Sequence, residues 1–129
     1  MRFDDRIALV TGAGTGIGRA IAASLAAEGA HVHVTDVDLV RAEEVAAEIE
    51  ATAGSADASA VDVTRAADVA AVLDRIGARH RRLDILVNNA GVNVRADFRH
   101  LTDAQWQSVR ETNLDSVVRL CRDAFELLA

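Results

Sequence analysis

The 129-residue sequence contains no lysine, no proline and no tyrosine, and its single cysteine is Cys121. A lone cysteine excludes a disulfide within the chain, and its place in a helical pattern, away from metal-ligand residues, predicts a small core residue. No apolar run approaches the roughly twenty residues that cross a bilayer, and the start, "MRFDDR", has no apolar signal region. We therefore expect a cytoplasmic protein with no membrane partner.

Positive charge is also scarce, since the formal net charge is −6. Nucleic acids and anionic membranes bind positive surfaces, so this charge argues against both as general partners. The local exception, "RHRR" from Arg79 to Arg82, is typical of the basic end of a helix, where cations complement the helix dipole. The hydrophobic content of 50% is sufficient for the core of one domain spanning residues 1–129.

Glycine is concentrated in one stretch, "TGAGTGIG", from Thr11 to Gly18. A P-loop is excluded because it requires a lysine after its last glycine, and the chain has none. The standard dinucleotide fingerprint G-x-G-x-x-G is also excluded, because Ile17 stands where its third glycine would be. The remaining pattern is Gly12-x-x-x-Gly16-x-Gly18.

Four short apolar or alternating segments predict strands. The first, "RIALVT" from Arg6 to Thr11, is continuous and therefore typical of a strand buried on both faces. The others are "HVHVTD" to Asp36, a segment ending at "AVDV" after the predicted loop "AGSADAS", and "LDILV" at Leu83–Val87. Helical periods separate them, so we expect an α/β fold with a parallel, doubly wound sheet and right-handed crossovers.

Four helices are predicted between and after these strands. The first ends near Gly29 and the second covers about residues 39–51, while Thr64 is the expected cap of the third. Thr102 and Gln105 fit a capping box that opens the last helix, in which the sequence ends. The predicted inward faces are Ile17, Ala20, Ile21, Ser24 and Leu25 in the first helix; Ala42, Val45, Ala46 and Ile49 in the second; Val69, Leu73 and Ile76 in the third; and Trp106, Val109, Asn113, Val117, Leu120, Ala124 and Leu128 in the last.

A glycine loop between a strand and a helix predicts a phosphate site. Gly12 permits a tight turn, Gly16 lets the backbone approach a pyrophosphate, and Gly18 permits close packing of helix on strand. The free N–H groups and dipole at the start of the helix attract the anion. The glycines alone leave the identity of the anion open.

Asp36 ends the second predicted strand, near the spacing at which an acidic residue accepts hydrogen bonds from the adenine ribose of a dinucleotide. A 2'-phosphate at that point would meet a like charge, and Thr15 and Val37 supply no cation beside it. We therefore favour NAD over NADP. The alternative is an ordinary loop carboxylate.

Two other residue types invite a functional interpretation. His31 and His33 alternate on one strand face, but with no third ligand nearby in the sequence they predict no metal site. Asn113 lies on the apolar stripe of the last helix, which predicts a buried amide that needs hydrogen-bond partners, in either a structural or a catalytic role.

Together, several motifs resemble the short-chain dehydrogenase/reductases, and especially their 3-oxoacyl-carrier-protein reductase-like members. The motifs are "TGAGTGIG", the acidic end of the second strand, "DVT" at Asp62–Thr64, "NNAG" at Asn88–Gly91 and "ETNLDSV" around Asn113. The resemblance runs through the whole chain and implies a Rossmann-like sheet with strand order 3-2-1-4. It implies NAD(P)-dependent hydride transfer between a nicotinamide and a small carbonyl or alcohol substrate.

The resemblance also implies roles for particular residues. Asp62 and Val63 are expected to meet the adenine, and Asn113 is expected to belong to the catalytic tetrad, holding a backbone bend and a water. The expected cofactor-binding residues are Thr11, Gly12, Gly16, Ile17, Gly18, Asp36, Asp62, Val63, Asn89, Ala90 and Gly91.

The residues that such an enzyme uses to transfer a proton are absent from these 129 residues. The family uses a serine and a Tyr-x-x-x-Lys pair from segments beyond the last helix seen here, and these 129 residues contain neither tyrosine nor lysine. We expect no turnover by the chain alone. Three hypotheses remain: the cofactor-binding part of an NAD(P)-dependent oxidoreductase, a non-catalytic dinucleotide-binding module, and an interaction subunit completed by another chain. An uncovered strand "LDILV" at the sheet edge further predicts a homo-oligomer.

Overall fold

Four parallel strands form the centre of the computed structural model, which describes all 129 residues. The strands are β1 Ile7–Val10, β2 His31–Asp36, β3 Ser55–Ala60 and β4 Ile85–Val87. They lie in the order β3-β2-β1-β4, and every neighbouring pair is parallel. The strand order implied by the family resemblance is confirmed.

Six helices and two irregular turns complete the chain. The helices are α1 Gly16–Ala27, α2 Leu39–Ala51, α3 Ala66–His80, α4 Asp103–Arg110, α5 Ser116–Asp123 and α6 Phe125–Leu128. A 3-10 turn at Phe98–His100 precedes α4, and a π-helical turn at Glu111–Asp115 joins α4 to α5.

The core consists of two apolar layers, one on each face of the sheet. Ala8 and Val10 of β1 pack into a layer with α1 and α2, whereas Ile7 and Leu9 pack into the opposite layer with α3 and α5. All four side chains are buried. The continuous apolar run of β1 is thus explained by helices on both faces, as in a doubly wound sheet.

The prediction for β3 was wrong in its position. Residues 55–60 pair along the whole of β2, although the sequence pattern predicts a loop over 55–59, whereas Val61 and Val63 are buried but follow the strand. The strand is an edge built from serine, alanine and aspartate, so its backbone ladder forms without the apolar pattern that would signal it. The predicted cap also shifts: Arg65 is the N-cap of α3, and the Thr64 hydroxyl donates to Asp62 instead.

The inward face of α1 also differs from the prediction, whereas that of α2 is confirmed. Ile21 and Leu25 are half-buried against the core, but the fully buried positions are the small residues Gly18, Ala22 and Ala26. Only small side chains fit where α1 approaches the sheet closely. Ile17, in the first turn of α1, is 74% exposed.

The last predicted helix is interrupted, and only part of its inward stripe is buried. The capping box at Thr102 is confirmed, but no residue of α4 is buried, so Trp106 is exposed. Asn113 is exposed as well, within the π-helical turn, contrary to the expectation of a buried amide. Leu120 is buried, whereas Cys121 is exposed rather than part of the core.

The physical reason is the π-helical turn, which adds a residue to one turn and rotates the stripe that a regular helix would keep in line. None of the helices is both long enough and apolar enough to span a membrane.

Candidate functional site

A cleft of about 750 Å³ opens at the carboxyl ends of the strands, a volume typical of small-molecule sites. Its walls come from the loop after β1, the end of β2, the segment after β3, the loop after β4 and one side of α4. The chain leaves β1 and β4 toward opposite faces of the sheet, so this is the switch point where ligands bind in open α/β folds.

The glycine loop forms the floor of the cleft. Gly12 and Gly16 adopt φ values of +60° and +55°, which side-chain-bearing residues rarely adopt. A Cβ at Gly12 would lie 2.9 Å from the Cα of Ala90, whereas a Cβ at Gly16 would enter open space. Gly12 therefore permits contact between two loops, and Gly16 leaves backbone open to the cleft.

Gly18 is buried beneath the loop and does not line the cleft. A Cβ there would overlap the carbonyl oxygen of Gly12 and lie 2.5 Å from Nδ2 of Asn89. The absence of a side chain at Gly18 therefore lets the first turn of α1 pack directly against the floor of the cleft.

Thr11 and Asn89 fasten the glycine loop to the loop after β4. Oγ1 of the buried Thr11 accepts hydrogen bonds from the backbone N–H groups of Asn89 and Ala90, at 3.1 and 3.0 Å. Nδ2 of Asn89 donates to the carbonyl oxygen of Gly12 at 3.1 Å. Thr11 thus shapes the cleft without lining it, whereas Asn89, Ala90 and Gly91 line it.

The start of α1 offers an anion site on this floor. Thr15 occupies the N-cap, but its side chain makes no capping hydrogen bond. The N–H groups of a first helical turn have no partner within the helix, and the positive end of the helix dipole lies there. Gly16 and Ile17 line the cleft at this point, so the arrangement fits a pyrophosphate.

Asp36 lies at the rim of the same cleft. Its two carboxylate oxygens accept hydrogen bonds from the backbone N–H groups of Gly14 and Asp38, both at 3.0 Å. Each carboxylate oxygen has capacity for a further donor, so Asp36 is held in place and still fits ribose hydroxyls.

The stem of the Arg41 side chain lies beside the glycine loop near Asp36, although Thr15 and Val37 supply no cation there. A Cβ built on Gly14 would lie 2.9 Å from Cβ of Arg41 and 2.7 Å from Oδ2 of Asp36, so both side chains flank the glycine loop. The guanidinium of Arg41 is turned toward Asp38, with Nε 3.5 Å from its carboxylate.

The segment after β3 forms the next wall, with Val61, Asp62, Val63 and Thr64. Oδ1 of Asp62 accepts hydrogen bonds from the hydroxyl and the backbone N–H of Thr64, at 2.6 and 2.9 Å. The hydroxyl bond is the main reason that the pKa of Asp62 lies below its usual value. This wall therefore presents an ionised carboxylate beside two buried valines.

Asn113 is placed beside the cleft but does not line it. Its Oδ1 accepts from the backbone N–H of Val92 at 2.8 Å, and its Nδ2 donates to the carbonyl oxygen of Val92 at 2.9 Å. The amide thus ties the π-helical turn to the loop after β4.

One group of lining residues was not foreseen from the sequence. It lies on a single face of α4 and the turn that follows, at the helical spacing of Ala104, Gln107, Ser108, Glu111 and Thr112. This spacing is visible in the sequence, but the face is mostly polar, so it carried no signal of its own.

The geometry agrees with comparisons to known proteins. The sequence model of the family described as short chain dehydrogenase matches residues 6–129. The chain belongs to the short-chain dehydrogenase family. Members of this family are oxidoreductases that bind NAD(P), so the comparisons confirm the family named from the motifs.

Individual relatives support the same family assignment. The chain is 41% identical over 122 residues to the 3-oxoacyl-[acyl-carrier-protein] reductase FabG of Escherichia coli K12, covering 95% of this chain and 49% of that protein. It is 40% identical over 121 residues to the D-threitol dehydrogenase of Mycolicibacterium smegmatis, covering 94% and 46%. The chain therefore spans about half the length of the curated relatives it matches.

Solved structures share the fold. A hydroxysteroid dehydrogenase from Escherichia coli superposes with a TM-score of 0.91 at 35% identity, covering 95% of this chain and 52% of that one. A metagenomic short-chain oxidoreductase solved in complex with NADP gives 0.90 at 36% identity, covering 95% and 56%. The Rossmann-like fold class is confirmed.

Proposed function

We propose that the cleft binds NAD(H) and that the chain forms the cofactor-binding part of an oxidoreductase acting on a small carbonyl or alcohol substrate. The observation that carries this proposal is the uncapped start of α1 at Gly16, which lies in one cleft with Asp36. These features fit the pyrophosphate and the adenine ribose of one dinucleotide.

Each wall of the cleft has a role in this proposal. The first-turn N–H groups of α1 hold the pyrophosphate, Asp36 accepts from the ribose, and Asp62 with Val63 contacts the adenine. Asn89, Ala90 and Gly91 lie along the cofactor toward the nicotinamide. Thr11, Gly18 and Asn113 support these walls through the contacts described above.

When bound, the nicotinamide supplies or accepts a hydride, and a protein acid/base must then move a proton at the substrate oxygen. The titratable residues that line the cleft are Asp36, Asp62 and Glu111, and the 129 residues contain no tyrosine or lysine. Since positioned proton transfer contributes about 10²- to 10⁴-fold, we expect no NAD-dependent turnover from purified chain. Turnover that survives removal of host dehydrogenases would contradict this expectation.

The preference for NAD over NADP follows from the charge of Asp36. Its carboxylate would oppose a 2'-phosphate, whereas the nearby guanidinium of Arg41 is directed to Asp38. Removal of Asp36 would free the rim for the phosphate, and Arg41 is then the cation within reach.

Calorimetric titration with NAD⁺ and NADP⁺ tests the proposal. We expect wild type to favour NAD⁺, Asp36→Ala to shift the preference toward NADP⁺ by about tenfold or more, and Asp36→Ala with Arg41→Ala to lose that gain. Glu44→Ala is the matched control, because it removes one exposed carboxylate from α2 without touching the cleft. Equal binding of both cofactors by wild type would refute the role of Asp36, and binding of neither by folded chain would refute the cleft.

A further inference from the structure

Three histidines meet at the end of the sheet opposite the cleft. His31 and His33 belong to β2, and His80 is the last residue of α3. One ring nitrogen from each lies within 4.8 Å of the others. The expectation that His31 and His33 have no third ligand nearby was therefore wrong, because the crossover through α3 returns a distant residue to their side of the sheet.

Each of the three rings has a buried Nε2 without a hydrogen-bond partner. His33 is only 1% exposed. Buried polar groups are normally hydrogen-bonded, because an unpaired one loses its hydration without compensation. Several such nitrogens gathered in one cluster indicate a missing common partner.

A carboxylate completes the cluster. Oδ1 of Asp57, on β3, lies 2.6 Å from Nδ1 of His33, so the carboxylate is in direct ionic contact with one ring of the cluster. The other oxygen, Oδ2, accepts from the Arg79 guanidinium at 2.8 Å. Arg79 thus holds one side of the carboxylate and leaves Oδ1 directed at the imidazoles.

An outer hydrogen bond orients one of the rings. Nδ1 of His31 lies 2.6 Å from Oγ of Ser55, the residue opposite it in the sheet. When Nδ1 donates its proton to this hydroxyl, Nε2 keeps its lone pair for the cluster. Bonds of this kind, made by the second ring nitrogen, are a general feature of histidines that bind metals.

We propose that this cluster is a zinc site, with His31, His33, His80 and Oδ1 of Asp57 as ligands. Three imidazoles and one carboxylate are donors that Zn²⁺ takes in tetrahedral sites. Zn–N bonds of about 2.0–2.1 Å place ligand atoms about 3.3 Å apart, so side-chain rotations that draw the rings together by about 1–1.5 Å complete the site. The ion supplies the common partner that the buried nitrogens lack.

The zinc would be structural and separate from the cofactor cleft. His33 precedes Asp36 by three residues of extended strand, which is about 10 Å, and no residue of the cluster lines the cleft. The ligands come from β2, β3 and α3, so the ion would fasten α3 across the sheet edge. This inference stands apart from the proposed dinucleotide binding.

The test uses the full 129-residue chain carrying Cys121→Ser, which removes the exposed thiol as a competing ligand. After treatment with a chelator, the chain is titrated calorimetrically with zinc chloride. We expect one zinc per chain, a higher melting temperature with zinc than without, and no response to magnesium chloride, which is bound by oxygen ligands. Cobalt(II) in place of zinc should give the intense visible bands of a tetrahedral site.

His80→Gln tests the assignment, because His80 lies at the end of α3 and its replacement leaves the core intact. We expect it to weaken zinc binding by at least about tenfold and to abolish the cobalt bands. His100→Gln is the matched control, since His100 is an exposed histidine away from the cluster. Absence of zinc binding by wild type, or equal binding by wild type and His80→Gln, would overturn the proposal. An octahedral cobalt spectrum would overturn it without any variant.

Discussion

At the scale of single residues, the shape of the cleft is set by two side chains that join its loops: Thr11, which does not line the cleft, and Asn89, which does. One hydroxyl, that of Thr11, accepts two backbone N–H groups of the facing loop, and one amide, that of Asn89, donates back to Gly12. These bonds cross between the loops after β1 and β4. The loops are therefore fixed relative to each other before a cofactor enters, which lowers the cost of ordering them on binding.

Gly18 is the position where this arrangement is most sensitive to substitution. In Gly18→Ala the new methyl group would meet the Gly12 carbonyl and the Asn89 amide. Neither atom can move without breaking the bond between them. We expect a loss of about 1–3 kcal/mol in the free energy of unfolding, measured by urea denaturation, together with weaker NAD⁺ binding.

Gly77→Ala is the control for that substitution. Gly77 lies inside α3, and a Cβ there would make only an ordinary contact of 3.5 Å with Leu127. Alanine should therefore stabilise the chain by about 0.4–1 kcal/mol. Equal effects of the two substitutions would show that Gly18 is not constrained by the loop.

Asp62 gives a prediction for pH. Its pKa is lower in the folded chain than the ordinary 3.8, chiefly because of the Thr64 hydroxyl. A carboxylate with a depressed pKa contributes stability that is complete above the unfolded pKa and is lost as the pH falls through the folded pKa. Thr64→Val should therefore raise the pKa of Asp62, and its destabilising effect should be larger at neutral pH than in acid.

NMR titration of the Asp62 carboxyl carbon and denaturation across the acid range measure these two effects. Thr52→Val is the control, because the Thr52 hydroxyl donates to the carbonyl of Ile49 and involves no carboxylate. The loss of unfolding free energy caused by Thr52→Val should not change with pH. A pH-independent cost for Thr64→Val would contradict the assigned cause of the shift.

At the scale of elements, prediction succeeded where burial and periodicity agree. The apolar run of β1 follows from packing on both faces of the sheet. The apolar stripe of α2 follows from packing of one helix face against the sheet. Prediction failed for β3, whose small residues pair through the backbone. It also failed for the final helix, where a π-helical turn rotates the predicted apolar stripe. Neither feature leaves a hydrophobic signature.

The candidate site was predictable to a similar extent. Positions from the glycine loop, Asp36 and the "NNAG" loop line the cleft because motif and strand end coincide there. The contribution of α4 to the cleft and the contact of His80 with the β2 histidines depend on how distant elements pack. Residue spacing along the chain does not reveal such packing.

The capping box of α4 provides a test at this scale. α4 has no buried residue, so its stability depends on its cap more than on packing. In Thr102→Ala the N-cap bond to Gln105 is lost, which costs about 0.5–2 kcal/mol. Amide hydrogen exchange in residues 103–110 should accelerate by about two- to thirtyfold.

Thr15→Ala is the matched control, because Thr15 is the N-cap of α1 but makes no side-chain capping bond. Exchange in α1 should change little. If both substitutions accelerate exchange equally, the side-chain cap is not what holds α4.

At the scale of the whole molecule, the two sides of the sheet are covered unequally. The layer under α1 and α2 is closed, but β4 pairs only with β1 and α4 leaves its residues exposed. Leu114, Val118 and Phe125 are exposed along one face that runs from the π-helical turn to α6. An open strand edge beside an exposed apolar face favours association with another chain.

We therefore predict that the 129-residue chain self-associates and that Val118→Glu reduces this association, because the new charge would lose its hydration in an interface. Light scattering coupled to size exclusion measures the mass. Val40→Glu is the matched control: Val40 is 63% exposed and Val118 61%, but Val40 lies on α2, on the covered side. Leu86 in β4 is a poorer choice, since it packs against the core and its replacement would also alter folding. A monomeric wild type, or equal effects of the two glutamates, would show that this face is not an interface.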